Sequence, residues 1–292
     1  VRSAREESKE KTMTRRHVKR GQGLLRPTPI GIALAALLLL AVGDAGAQAT
    51  MDFCGCEGSP ESLGAFVSSD TATWPAGTVD IENGCYPNIR IPVPESGVLV
   101  FDSFTVSNRT TVNCGNRNAG VSFLRNAANT PVMLLIRGDL VVADGDWISV
   151  TGGAGSSGSA GSNGVGGQGG PGGFAGGDGA YQLSNLASDG GAGVGPGGGL
   201  GSLALDRVLA AGGTFFGIPE LRPMVGGSGG GGGHSASAAG SCAGGGGGGG
   251  GGALLIAANG TVTVNGTIAA NGGAGGDRAG GSCSSNGSGG SG

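Results

Sequence analysis

Short apolar runs bounded by turn residues fill the chain between Met51 and Val150. They fall at residues 97–101 (GVLVF), 104–106 (FTV), 121–124 (VSFL), 132–136 (VMLLI), 140–142 (LVV) and 147–150 (WISV). β-Branched and aromatic residues dominate them, and Asn, Gly, Asp and Pro separate them, which is the pattern of short β-strands. No apolar repeat of helical period appears before Gly152, and the one later stretch suited to a short helix is 203–211.

The pattern also echoes itself. The stretch 134–155 (LLIRGDLVV…WI…GGAG) matches 254–275 without a gap at a shift of 120 positions, through Leu254-Leu255-Ile256, Val262, Ile268 and Gly272-Gly273-Ala274-Gly275. In the second copy the dipeptides Asn259-Gly260, Asn265-Gly266 and Asn271-Gly272 recur every six residues. Asn-Gly is a strong turn signal because both residues tolerate positive φ. Strands this short, turned this often, cannot bury an apolar face alone and need a stacked neighbour. The expected fold is therefore mainly β, with parallel β-helix or solenoid-like strand coils. Three unequal strands in about twenty residues favour the right-handed form. The competing expectation is a β-sandwich with long glycine-rich loops.

Glycine divides the chain. Of 70 glycines, 55 lie from Gly152 onward, and glycine brings no side chain to a core while losing the most backbone entropy. Within this tract glycine occupies every third position from Gly152 to Gly179, ten in all, and Pro171 is the one proline among them. Collagen has the same period but needs many imino acids. The alternatives are a polyglycine-II-like extended helix, with its glycines along one bare edge, and a disordered linker. Five regions follow: 1–49 leader and signal peptide, 50–151 β-rich, 152–252 glycine-rich excursion, 253–271 a β coil echoing 134–151, and 272–292 a glycine-rich end.

Charge separates along the chain as well. Residues 1–48 hold nine basic and four acidic side chains, leaving eight arginines, no lysine and 16 acidic groups beyond them. A net charge of about −8 without a basic stripe argues against nucleic acid as a partner. The basic residues Arg15 to Arg26, an apolar run over 30–42 and the small residues Ala45-Gly46-Ala47-Gln48-Ala49 form a secretory signal with an A-x-A cleavage site. The apolar run would rise only about 20 Å as a helix, against about 30 Å of hydrocarbon. The mature chain is thus expected to be exported, to the periplasm, cell surface or extracellular space, with no membrane span.

All six cysteines, Cys54, Cys56, Cys85, Cys114, Cys242 and Cys283, lie beyond the cleavage site. An even number in an exported chain favours disulfides. Pairing is expected within the first four and within the last two, with Cys242–Cys283 the best single pair. A metal site on Cys54-Gly55-Cys56 is the weaker alternative.

Catalytic chemistry finds little foothold. His234 is the one histidine after the leader, beside a glycine run, and reads as a solvated loop residue without a partner to orient its ring. Clustered metal ligands are missing from the pattern, and a phosphate-binding loop needs a lysine that the exported part lacks. No cofactor is expected. Gly272-Gly273-Ala274-Gly275-Gly276-Asp277 resembles one calcium-binding nonapeptide repeat, but it stands alone with Ala279 where a large apolar residue belongs and reads as chance. Asp144-Gly145-Asp146 suits a turn as well as calcium, and the integrin-type tripeptide Arg137-Gly138-Asp139 reads as coincidence in a strand connection. A polysaccharide-acting β-helix would use carboxylates and arginines on one sheet face; Arg137, Asp139, Asp144 and Asp146 are the candidates. Threonine ranks such as Thr261, Thr263 and Thr267 would suit ice or surface binding.

The stretch Arg125-Asn126-Ala127-Ala128-Asn129-Thr130-Pro131-Val132, with Gly138-Asp139-Leu140, resembles a group of uncharacterised exported bacterial glycine-rich proteins. Residues 221–229 and 253–273 fit the same group, so the resemblance covers roughly 97–292. It implies a β-helix-like exported protein of unassigned role, to which no catalytic residue can be carried over. It also implies further strands after the glycine excursion in which the sequence stops at Gly292, so that end reads as truncated. The function expected is an exported structural or surface protein without catalytic activity, meeting cell-surface or matrix components; the alternative is a carbohydrate-binding or carbohydrate-active β-helix protein.

Overall fold

The computed structural model describes residues 52–56, 59–83, 86–111, 115–159, 161–181, 187–205, 208–214, 217, 223–235, 242–279 and 284–292. The signal segment, Cys85, Cys114 and Cys283 lie outside them. Strands run β1 (Ala65–Val67), β2 (Val79–Asn83), β3 (Tyr86–Pro92), β4 (Val98–Phe101), β5 (Ser103–Val106), β6 (Arg109–Thr111), β7 (Gly115–Arg117), β8 (Gly120–Leu124), β9 (Val132–Ile136), β10 (Leu140–Val142), β11 (Trp147–Ser149), β12 (Leu254–Ala258), β13 (Val262–Val264) and β14 (Thr267–Ala269). The fold is mainly β. Among the described residues of 203–211, the stretch suited to a short helix, no helix is present. Leu203 bridges Val208 antiparallel and the Ala211 N–H donates to the Leu200 carbonyl, so the two ends lie side by side.

Three sheets carry the β-rich part, ordered β1-β5-β10-β13, β2-β3-β8-β11-β14 and β4-β9-β12. Every pairing in them is parallel except β2 with β3, and β6 and β7 form a separate antiparallel hairpin. The chain visits the three sheets in turn: β9, β10 and β11 take one strand each, and β12, β13 and β14 lie against them in the same order.

Parallel register stacks like upon like. Phe66, Phe104, Leu140 and Val262 form one column, and Ile89, Val121, Ile148 and Ile268 another. Leu99, Leu134 and Ile256 make a third. Phe66 stacks on Phe104 at 4.4 Å, and Phe101 meets Phe104 edge-on at 5.1 Å. The columns are fully buried until the last strands, where Val262, Val264 and Ile268 are exposed. Trp74 covers the opposite end of the core, its indole N–H donating to the Val67 carbonyl at 3.1 Å.

The echo is real but shifted. β14 pairs with β11 at 120 residues, whereas β12 and β13 pair with β9 and β10 at 122. The turn at 143–146 is two residues longer than its counterpart 265–266, and a slip of two leaves every side chain on its own face. The Asn-Gly turns also work differently from expectation, because none of their residues has positive φ. Gly260 and Gly266 are needed for close approach: a Cβ would lie 2.6 Å from the Gly138 carbonyl carbon and 2.2 Å from the Asp146 carbonyl oxygen.

Between β11 and β12 the chain leaves the stack for more than a hundred residues. The tract starting at Gly152 is not one continuous helix. It turns at Gly161 (φ 102°) and Gly172 (φ 79°), so 152–158, 164–170 and 173–180 run as separate extended segments. Hydrogen bonds follow a three-residue period. In 244–252 the N–H groups of Gly244, Gly247 and Gly250 donate to Ala180, Gly177 and Phe174. Those of Gly245, Gly248 and Gly251 go to Ser285, Ser288 and Ser291, and those of Gly246, Gly249 and Gly252 to Ser156, Gly153 and Val150. Carbonyls of this segment accept from 164–170, 227–233 and 273–276, so six neighbours surround it. A Cβ on any residue from Gly244 to Gly251 would lie about 2 Å from a neighbouring carbonyl oxygen. A segment at the rim of this bundle meets neighbours along one edge and needs glycine every third residue, as 152–179 has. A segment at its centre meets them on every side, which is why 244–252 is glycine throughout.

Candidate functional site

The outward face of the sheet containing β3, β8 and β11 carries a groove of about 360 Å³ where it meets the glycine segments. Strand alternation puts Ile89, Val121 and Ile148 inside and Asn88, Arg90, Ser122, Trp147 and Ser149 outside. Register places Asn88, Gly120 and Trp147 in one row and Arg90, Ser122 and Ser149 in the next. Gly120 makes room for the indole, since a Cβ there would lie 2.0 Å from the Trp147 ring. Ser122 donates to Asn88 Oδ1 at 2.9 Å, and Ser149 to Thr151 Oγ1 at 2.8 Å. Arg125 reaches across to Gln168 Oε1 at 3.3 Å, joining the stack to the glycine segment that forms the far wall. Among the described residues no carboxylate lines the groove.

The acidic candidates are elsewhere. Arg137 and Asp139 sit at the corner between β9 and β10, where Arg137 pairs with Asp102 at 3.6 Å and Asp139 accepts the Thr261 N–H. Asp144 and Asp146 occupy the next corner, between β10 and β11, and Gly145 at φ 78° makes it a turn. The structure does not bring these four to one sheet face. Nor do the threonines form a rank: the outward row through Thr263 reads Val67, Thr105, Val141, Thr263, and Thr267 lies beside Trp147 in another sheet.

Asp146 is fully buried. One carboxylate oxygen accepts the Ala119 N–H, and the other has no partner among the described residues. Burial raises its pKa above the ordinary 3.8; the Ala119 bond opposes the shift and Asp144 adds to it. As pH rises above 3.8, the folded state holds this proton more tightly than the unfolded chain, so stability falls. Asp146→Asn keeps an acceptor for Ala119 and removes the charge. Thermal unfolding should find the variant more stable than the parent at neutral pH, with the gap closing towards pH 4. A gap that widens on acidification would contradict this.

His234 is not a solvated loop residue. It is buried at the centre of the glycine segments, with Nδ1 3.2 Å from Ser202 Oγ and its amide donating to Ser285 Oγ at 2.9 Å. Ser202 and Ser285 are themselves 2.8 Å apart. Burial lowers the His234 pKa below 6.5, opposed by Asp189 and reinforced by Arg278. The hydroxyls bond to each other and to the backbone, so the cluster acts as a tie between three segments.

Cys54 and Cys56 are joined by a disulfide, which occupies the two sulfurs a metal would need beside Asp52. They cover the outer face of the β4-β9-β12 sheet, against Val98, Val100, Leu135 and Ala257. Asn259 secures them, accepting the Cys54 N–H at 2.8 Å and donating to Asp52. Cys242 is disulfide-bonded too; Cys283, its expected partner, lies outside the described residues.

No family model matches the chain, and neither a curated protein nor a solved structure does. Among the described residues no helix is long and apolar enough to cross a membrane.

Proposed function

We propose that this chain is an exported structural protein of the cell surface or extracellular space that binds carbohydrate rather than transforming it. The groove carries this reading. It offers the flat indole of Trp147, against which the C–H face of a sugar ring packs, and a ring of amide, hydroxyl and guanidinium groups for its hydroxyls. Most glycoside hydrolases use a pair of carboxyl groups at the scissile bond, and the carboxylates that sequence pattern suggested stand at the corners, away from the groove.

The scaffold reading rests on two architectural proposals. The three-sheet stack is a parallel β-helix four coils deep, right-handed by the general chirality of crossovers between parallel strands. The glycine segments form a polyglycine-II-like lattice, supported by their three-residue hydrogen-bond period. Together they would give a stiff body with the groove at the seam.

Titration with a panel of soluble polysaccharides, followed by tryptophan fluorescence and calorimetry, tests the binding reading. Trp147→Ala should weaken binding about tenfold, or 1.4 kcal/mol. Gly120→Ala should weaken it similarly by lifting the indole from its seat. Unchanged affinity in both, with the fold intact, would sink the proposal.

A further inference from the structure

We infer that the ligand of the groove is an acidic polysaccharide carrying isolated carboxylates, an inference that rests on the carbohydrate-binding reading above. Arg90 and Arg125 both line the groove, and no acidic side chain accompanies them. Among the described residues the arginine–carboxylate pairs are Arg109–Asp80 and Arg137–Asp102, so both groove guanidinium groups are left without an acidic partner. Arg109 shows the contrast: it is held by Asp80 and lies over the Trp74 ring at 4.9 Å. A guanidinium presents a planar fork that fits a carboxylate through two parallel hydrogen bonds. Gln168 holds Arg125 in the far wall and leaves the rest of its fork open.

The layout suits a polymer better than a small anion. Trp147 and Arg90 stand two strands apart, roughly 10 Å by sheet spacing. A ligand touching both must therefore offer a ring face at one point and an acid at another. The sparseness of the cations fixes the charge density. The exported part carries eight arginines against 16 acidic residues, a field that disfavours a dense polyanion such as duplex DNA, with its charge every 1.7 Å or so. A uronate-bearing glycan, with one carboxylate on each sugar or every other one, meets two arginines with a smaller penalty.

The test compares polygalacturonate, alginate and hyaluronate with their carboxyl-esterified forms, which keep the sugar backbone and lose the charge. A short DNA duplex serves as the dense polyanion. Calorimetry is run at low and high salt on the parent and on Arg90→Gln/Arg125→Gln, whose fold is checked by thermal unfolding. The expected result is at least one acidic glycan binding about tenfold tighter than its ester, with salt-sensitive affinity and the preference abolished in the double variant. Equal binding of acid and ester, or a preference that survives the double variant, overturns the acidic-ligand inference and leaves the carbohydrate reading standing. Duplex binding more tightly than every glycan overturns it in favour of nucleic acid. Failure of all glycans, charged and neutral, removes both readings.

Discussion

Replacing Gly247 with alanine should destabilise the protein by about 3 kcal/mol, lowering the melting temperature by roughly 10 °C. The new methyl would lie 2.0 Å from the Gly230 carbonyl oxygen and 2.6 Å from its carbon, and both atoms belong to backbone. Neither can swing aside as a flexible side chain could. Gly230 itself donates to the Gly248 carbonyl, and Gly247 donates to Gly177, so parting the two segments also breaks hydrogen bonds on either side. Gly289→Ala is the matched control. Its methyl would meet a single atom at 3.5 Å, an ordinary contact, and the change should stay within about 0.5 kcal/mol. Equal melting temperatures for the two variants would show that the central segment is not packed as described.

The second large effect is expected in the strand stack. Phe104→Ala should cost about 4 kcal/mol, read as a lower denaturant midpoint at unchanged slope. Phe104 is completely buried, stacked on Phe66 and edge-on to Phe101, with Leu140 as its partner on the next strand. Removing the ring opens a cavity among three sheets whose backbones are hydrogen-bonded and cannot close over it. Phe104→Leu keeps most of the volume and should cost about 1 kcal/mol. A loss below about 1 kcal/mol for the alanine variant would mean that the aromatic column does not hold the sheets together.

Much of this architecture could be read along the chain. The six apolar runs before Gly152 all became strands, because a parallel stack buries alternate residues and so leaves a dense β-branched signature in each. β3 escaped notice because Pro87 and Pro92 interrupt it, yet it sits between β2 and β8. β6 (RTT) and β7 (GNR) hold no apolar side chain, so no apolar run marks them. The regular spacing of glycine announced a three-residue period, and the nine consecutive glycines at 244–252 held a further signal: a position surrounded on all sides tolerates no side chain anywhere. His234 was misread because its surroundings come from Ser202 and Ser285, 32 and 51 residues away. The groove was invisible for the same reason. Gly120, Trp147 and Arg90 are unremarkable in sequence, and only parallel register makes them neighbours.

The two halves of this molecule also differ in what they hide from water, and heat will register the difference. Unfolding the strand stack exposes hydrocarbon, which raises the heat capacity; unfolding the glycine segments exposes mainly peptide groups, whose opposite contribution offsets that of the few apolar atoms beside them. The stability of the first therefore bends strongly with temperature and weakens in the cold, whereas that of the second changes along a nearly straight line. A single chain thus combines a part that is most secure at moderate temperature with one whose cohesion does not fade on chilling.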